Sequence, residues 1–599
     1  MPTSILDAAV QTALNQPRRL PPAKSMTPSP ADWRDHWIYF LMVDRFNNPV
    51  AAPTNLPFDA PFGGFQGGTL AGIRAQLPYL KQLGVGAIWF TPVLKNCQFL
   101  NGQPAEGTYH GYGIQSFLDI DPRFGAEPTA VEDELQQLIT DAHAHGLYVI
   151  FDIVLNHTGD VFAYPSGSEA PFSATPYPVQ WRDAQGTPRP DWPVAEAIPD
   201  PPPDAAVFPD ELRRNSCFRR QGGPQPGGPE TIGDFAALKQ LLTATPEVGN
   251  VLIRSFQYLI AKYDLDGFRI DTLKYLDHAF AVTFGNAIRE YALSIGKKNF
   301  FTFGEVYDDE QRIAEFIGRH VSAAGDLVGV DAALDFPLFF KLPLVVKGLL
   351  PPSELVQLYV QRKAIERDVI SSHGEATRFF VTFLDNHDQT HRFYYSPAAN
   401  PHQFDPQATL GLGCLFCLPG IPCVYYGTEQ GLHGSGTSDQ NVREALWGKP
   451  RAFDATHPFY QGLQALTRVR NTQPALRYGR FYFRPLSGDG VHFGVSTTAP
   501  GVLAFSRILN DQEVVVIANT ATNAGFAGRV IVDAQLNPDG AEFELLFSNQ
   551  ANAVGPQAVE HTGPAVIQEV DGGVSAGPAQ VVRVTLRAME LQILGRVIR

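Results

Sequence analysis

Acidic side chains stand at the ends of apolar runs in this chain. Asp271 closes GFRID (267–271), Glu305 sits in FFTFGEV (300–306), and Asp388 ends VTFLDNHD (381–388). Upstream, FDIVLNH (151–157) adds Asn156 and His157. Each run is β-branched and aromatic, then gives way abruptly to a carboxylate, amide or imidazole. Continuous apolar strands carrying function at their C-terminal ends are the sequence pattern of a parallel barrel. Asp271, Glu305 and Asp388 would then ring one pocket mouth. Three carboxylates in one pocket point to hydrolysis or transfer of a glycosyl group, because acetal cleavage protonates a poor leaving group and stabilises an oxocarbenium-like centre.

The elements that must position these groups recur along the chain. Strand-like runs occur at 38–43 (IYFLMV), 86–91 (GAIWFT), 148–154 (YVIFDIV), 267–271, 300–306, 327–336 (LVGVDAALDF), 378–385 (RFFVTFLD) and 421–427 (IPCVYYG). Amphipathic helical patterns lie between most of them, as in VEDELQQLITDAHAHG (131–146), where Leu135, Leu138, Ile139 and Ala142 share a face and Gly146 supplies the stop. Eight strands alternating with helices predict a (β/α)8 barrel over residues 31–157 and 240–455. The interval between the third and fourth strands is far longer than the rest and crowded with Pro and Gly. Phe162, Trp181, Trp192 and Phe208 in it predict a packed inserted domain over 158–239 rather than a linker. Residues 456–599 read as a helix followed by period-two strands, an antiparallel β-sandwich in which no catalytic constellation stands out. Residues 1–30, with Pro17, Pro21, Pro22, Pro28 and Pro30, read as a short helix plus an irregular arm.

The strand-end motifs, in this order, resemble the four conserved regions of the α-amylase family, glycoside hydrolase family 13. GVGAIWFTPV (84–93), TYHGYG (108–113) and GIPCVYYGTE (420–429) extend the resemblance over roughly residues 36–450. It implies a TIM barrel with a B domain inserted after the third strand and a C-terminal β domain. It further implies an enzyme acting on α-linked glucans by the retaining two-step mechanism, with Asp271 as nucleophile, Glu305 as acid and base, and Asp388 as a third carboxylate on the sugar hydroxyls. Arg269, two residues before Asp271, points to the same side of its strand and favours the ionised nucleophile. By the same resemblance Tyr112 stacks on the sugar, His110, His157 and His387 contact it, and Lys274 lies on the acceptor side, followed by Tyr275 where the family often has His. Asn156 and Asp234 match calcium ligands of the family, so a structural calcium is an expectation, although the chemistry itself requires no cofactor. The other calcium loop of the family, near the first strand, is shortened here to DRFNNPV, and Thr69 stands where it expects Asp. The same triad also serves transglycosylases and isomerising glucosyltransferases, and an inactive glucan-binding homologue is the remaining alternative; the intact carboxylates and Arg269 argue against the last.

The composition agrees with a neutral sugar partner. The chain has 599 residues and a net charge of −15 without a basic cluster, which excludes nucleic acid as an expected partner, since binding it relies on basic residues. Its 41 Phe and 20 Tyr supply aromatic faces for sugar rings instead. No apolar run is long enough to span a bilayer, so no membrane partner is expected, and the N-terminus lacks a basic start followed by an apolar core, which predicts a cytoplasmic protein. Five cysteines form no disulfide framework. Cys414, Cys417 and Cys423 lie in an apolar stretch and read as buried thiols rather than a redox pair.

Overall fold

The computed structural model describes residues 2–15, 25–55, 61–199, 205–318, 329–366, 369–570 and 572–596. Pro17, Pro21 and Pro22 of the N-terminal arm and Leu327 and Val328 of the sixth strand-like run lie outside them.

Eight parallel strands form the barrel: β1 (Ile38–Leu41), β2 (Ala87–Phe90), β3 (Tyr148–Val154), β4 (Gly267–Asp271), β5 (Phe301–Gly304), β6 (Ala332–Ala333), β7 (Val381–Thr382) and β8 (Ile421–Tyr425). Each pairs with its sequence neighbour from β1 to β6 and from β7 to β8, and β8 returns to β1. A parallel bridge between Leu334 and Val381 closes the ring between β6 and β7. The strands are apolar on both faces because helices cover the outside while the interior is itself a packed core. Phe40 stacks on Trp89 at 3.7 Å between ring centroids, and Trp89 meets Phe303 edge-on at 5.6 Å. The register sets Ile270 of β4 beside Gly304 of β5, so Asp271 and Glu305 emerge at the same level of the barrel mouth.

The covering helices follow from their pattern. In Val131–Ala144, Val131, Leu135, Leu138, Ile139 and Ala142 are buried, Glu132, Asp133 and Glu134 occupy the first turn, and Gly146 follows at φ +70°. Each fully buried aliphatic side chain of this kind contributes roughly 1.5–3 kcal/mol. The acidic first turn complements the positive end of the helix dipole.

Between β3 and β4 the chain forms a region whose buried aromatic side chains are continuous with the barrel core. His157–Thr158 pairs antiparallel with Lys239–Gln240, and Phe162–Ala163 with Gln180–Trp181. Phe162, Trp181 and Phe218 meet edge-on at 5.2–5.6 Å, and Trp192 and Phe208 are buried as well. Near the N-terminus, helix Ala8–Leu14 packs against Pro246–Tyr263, and the Tyr291 hydroxyl donates to the Ala13 carbonyl at 2.9 Å.

After helix Pro458–Thr472 come antiparallel sheets. One has the strand order 480–483, 502–509, 512–519, 591–595, 544–548; another runs 486–487, 526–531, 580–586, 560–561. The run VVRVTLRAMELQIL, continuous in sequence, is divided between these two sheets, with Met589 at φ +53° in the break. Cys414 and Cys417 lie buried on helix Asp405–Cys417 and Cys423 on β8, all as free thiols; burial pushes the Cys417 thiol up to about 12, which removes the thiolate that redox exchange needs. Among the described residues no helix is long and apolar enough to cross a membrane.

Candidate active site

The strand ends converge on one guanidinium. Arg269, fully buried on β4, places one terminal nitrogen 2.9 Å from Asp271 Oδ1 and 2.9 Å from Asp152 Oδ1, and the other 2.9 Å from Glu305 Oε2. Glu305 Oε2 also accepts from the Thr272 N–H at 3.0 Å. Thr272 follows β4 at φ +50°, a left-handed conformation that costs a non-glycine residue energy and recurs at functional sites. Here it turns the backbone N–H back toward the neighbouring strand's carboxylate. Gly304, just before Glu305, must lack a side chain, because a Cβ there would lie 2.0 Å from Leu273 Cδ2.

Burial pushes the Asp271 carboxyl well above its ordinary range; Arg269 opposes the shift, and Glu305, Asp152 and Asp388 reinforce it. Asp152 is raised by burial to about 6, again against Arg269. The proximity of Arg269 alone predicts an ionised Asp271. The structure adds desolvation and three further acids, which work against that ionisation while Arg269 supports it.

Asp152 is absent from the sequence-derived set. It lies mid-strand in β3 and receives the Trp89 indole N–H (3.0 Å), the Tyr112 hydroxyl (2.9 Å) and Arg269, which fixes the orientation of both functional neighbours. A carboxylate inside so apolar a run has to be paired, and that was the available signal. Arg443 was also missed. It follows β8 and holds Asp388 Oδ1 (3.1 Å), the His387 carbonyl (2.9 Å) and the Tyr109 hydroxyl (3.0 Å). Nothing in NVREALW singles it out.

The aromatic side of the mouth is formed by the 108–113 turn and the β7 end. Tyr112 lies parallel to His387 (5.5 Å, 15°), with its hydroxyl 2.8 Å from His387 Nε2, and His110 Nδ1 accepts the Tyr112 N–H at 3.1 Å. Gly111 makes this turn at φ +90°, where a Cβ would sit 2.0 Å from the Pro92 carbonyl oxygen. Burial pushes His110 down to about 3 and His157 to about 4, and burial with Arg443 and Arg269 lowers His387, so all three rings are neutral at pH 7. Neutral imidazoles are suited to hydrogen-bonding hydroxyls. Asp388 stays the most accessible of the acids, its side chain 42% exposed, with His387 Nε2 3.3 Å from Oδ2.

His157 and Lys274 lie toward the inserted region, His157 buried beside the Tyr112 backbone. His157 lies against Phe235 of the inserted region (5.6 Å), and Phe235 meets Tyr275 edge-on at 4.7 Å. Lys274 faces Glu230 (3.3 Å), Asp308 (3.5 Å) and the Tyr307 carbonyl (3.2 Å).

The calcium expectation does not fit the surroundings of Asp234. Its oxygens are taken by the Tyr164 hydroxyl (2.5 Å), the Gln240 N–H (2.9 Å) and the Lys239 ammonium (3.8 Å). Lys239 is fully buried, also faces Asp160 at 3.6 Å, and lies 4.6 Å from the Tyr164 ring centroid. A calcium site needs six to eight oxygens, whereas two of the carboxylates here are already balanced by an internal cation. The Asn156 carbonyl accepts the Leu241 N–H at 2.9 Å, tying this strand end to the inserted region through the backbone. Thr69, where an acidic ligand was expected, caps helix Leu70–Ala75 by accepting the Gly72 N–H at 3.0 Å. Among the described residues no group of three or more His, Cys, Asp or Glu side chains is arranged to hold a metal ion.

The family model described as alpha amylase, catalytic domain, matches residues 40–454. The alpha-amylase of Streptomyces lividans is 30% identical over 527 residues, covering 78% of this chain and 52% of that protein. The beta/alpha-amylase of Paenibacillus polymyxa is 28% identical over 506 residues, covering 82% of this chain and 34% of that protein. This chain therefore spans about half or less of the length of these two relatives. The structure of a gamma-CGTase from alkalophilic Bacillus clarkii superposes with a TM-score of 0.66 at 21% identity, covering 95% of this chain and 71% of that one, and so shares the fold. With a catalytic-domain match spanning most of the barrel, the chain belongs to the α-amylase family.

Proposed function

We propose that this protein cleaves or transfers α-glucosidic bonds of α-glucans by a retaining double displacement. The observation that carries this reading is the single Arg269 guanidinium gripping both Asp271 and Glu305. Such a bridge suits the shorter of the two carboxyl spacings used by glycosidases, about 5–5.5 Å for retention against about 6.5–9.5 Å for inversion. Asp271 attacks the anomeric carbon while Glu305 protonates the leaving oxygen, giving a glycosyl ester. Glu305 then deprotonates water or a sugar hydroxyl, which displaces Asp271. Asp388, His387 and His110 bind sugar hydroxyls, and Tyr112 offers its ring to the apolar face of the pyranose.

Each step inverts, so the new anomeric centre retains the α configuration. Early-time NMR of maltooligosaccharide cleavage, before mutarotation, should show the α-anomer first, and transfer products formed with added acceptor sugar should be α-linked. A β-anomer appearing first would overturn the mechanism. The ratio of free reducing ends to transfer products in the same experiment separates hydrolase from transglycosylase.

A further inference from the structure

At the end of the barrel opposite Asp271, where the strands begin, an open cavity of about 600 Å3 lies in the seam with the C-terminal sheets. Tyr359 of helix Ser353–Glu366, Gly420 just before β8 and strand Arg480–Phe483 form its wall. Four of its cations already hold acids: Arg34 with Asp32, Arg362 with Asp335, Arg378 with Glu375, and Arg477 with Asp35. Lys363, Arg480 and Arg507 hold none among the described residues, a local excess of positive charge in a chain whose net charge is −15. Arg507 is buried with its guanidinium on the carbonyls of Cys417 and Gly479. Arg470 behind it likewise rests on carbonyls alone, those of Phe416 and Gly420 among them. Uncompensated burial pushes Arg507 down to about 10 and Arg470 to about 9.

The cavity has a second character. Tyr359 lies tilted on Phe481 at 4.8 Å, and its buried hydroxyl has no hydrogen-bond partner among the described residues. Tyr482 stands 41% exposed on the same strand. A forked guanidinium matches phosphate oxygens, and an anion would offset the cost of burying Arg507 away from acids. The aromatic wall suits the apolar face of a ring. The volume falls within the range of about 300–1,000 Å3 typical of small-molecule sites.

We propose that this seam cavity binds a small organic phosphate, its phosphate on Lys363, Arg480 and Arg507 and its ring against Tyr359 and Phe481. The site is remote from Asp271 and takes an anion where the cleft is built for neutral sugar. The test is calorimetric titration and thermal shift of the full chain with glucose 6-phosphate, inorganic phosphate and glucose. Glucose 6-phosphate should bind saturably, raise the Tm and weaken with added salt, while inorganic phosphate binds more weakly and glucose does not act at this site. Lys363→Glu/Arg480→Glu changes two exposed side chains, so glucan turnover should stay at the wild-type level while affinity for glucose 6-phosphate falls at least ~10-fold. No saturable binding of glucose 6-phosphate, equal affinity in the double variant, or inorganic phosphate binding as tightly as the sugar phosphate would each overturn the proposal.

Discussion

Glu305 commits Oε2 to two donors, Arg269 and the Thr272 N–H, which leaves Oε1 to face a leaving group. In Glu305→Gln the amide oxygen can still accept both bonds, so the variant should fold with an unchanged Tm. Its activity should collapse on maltooligosaccharides, by about 10²–10⁴ for loss of general acid catalysis, but far less on glucosyl fluoride, whose leaving group needs little protonation. Equal losses on both substrates would remove Glu305 from the acid role. His157 makes a separate prediction. Its pKa is about 4 folded, against about 6.5 unfolded, so as pH falls the unfolded chain takes up the proton first. The stability this ring contributes is complete above about pH 6.5 and lost progressively down to about pH 4. His157→Gln cannot titrate, so the Tm gap between wild type and variant should narrow across that window; parallel Tm–pH curves would show that no buried neutral ring is at work. At this scale the sequence made the strand-end acids legible, because a charge that terminates an apolar run stands out. Asp152 and Arg443 were not, since their roles arise from what the fold brings beside them: Tyr112 and Arg269 for the first, Asp388 and Tyr109 for the second.

At the scale of elements, β4 and β5 each carry a carboxylate at the tip, and the turn after β4 returns Leu273 over Gly304. Leu273 is completely buried and cannot swing aside. Gly304→Ala should therefore shift either the Leu273 turn or the end of β5, costing about 1–3 kcal/mol as overpacking. Either shift moves Asp271 and Glu305 relative to one another, so kcat should fall along with the Tm. A variant with unchanged Tm and kcat would mean that the two strand ends are not packed as described. The strand pattern itself was read well where apolar runs coincide with pairing: β3 and β4 match the runs at 148–154 and 267–271. Among the described residues the ladders of β6 and β7 cover only Ala332–Ala333 and Val381–Thr382, shorter than the apolar runs there. Phe383 and Leu384 continue the apolar run of β7 because they are buried beyond its ladder, and the buried Leu334 adds a single bridge to Val381. Hydrophobicity reports burial there rather than strand pairing. The C-terminal run 581–594 hid a break for a related reason, since both of its strands are apolar and only the backbone at Met589 separates them.

On the scale of the whole molecule, the inserted region is held to the barrel through the His157–Thr158 and Lys239–Gln240 pairing, with the Lys239 ammonium sealed beneath it between Asp160 and Asp234. Burial pulls the pKa of Lys239 down while the two carboxylates resist the shift, so the charge is kept by its partners rather than by solvent. A bound metal in this position would compete with that ammonium for the same oxygens. A ligand that binds only the native state raises its stability, so a calcium-dependent junction would lose Tm on chelation. The expected result here is the opposite: incubation with EDTA, and then addition of excess calcium, should leave the Tm unchanged. Removing the lysine should act where the chelator does not. Lys239→Met keeps the apolar stem against Tyr164 and Phe162 but strands Asp234 without its cation, while Asp160 keeps Arg182 at 2.8 Å, a loss of about 3–5 kcal/mol for breaking a buried charge pair. A Tm that falls with EDTA and returns with calcium, together with a Lys239→Met variant as stable as wild type, would show that a metal rather than this ammonium braces the junction.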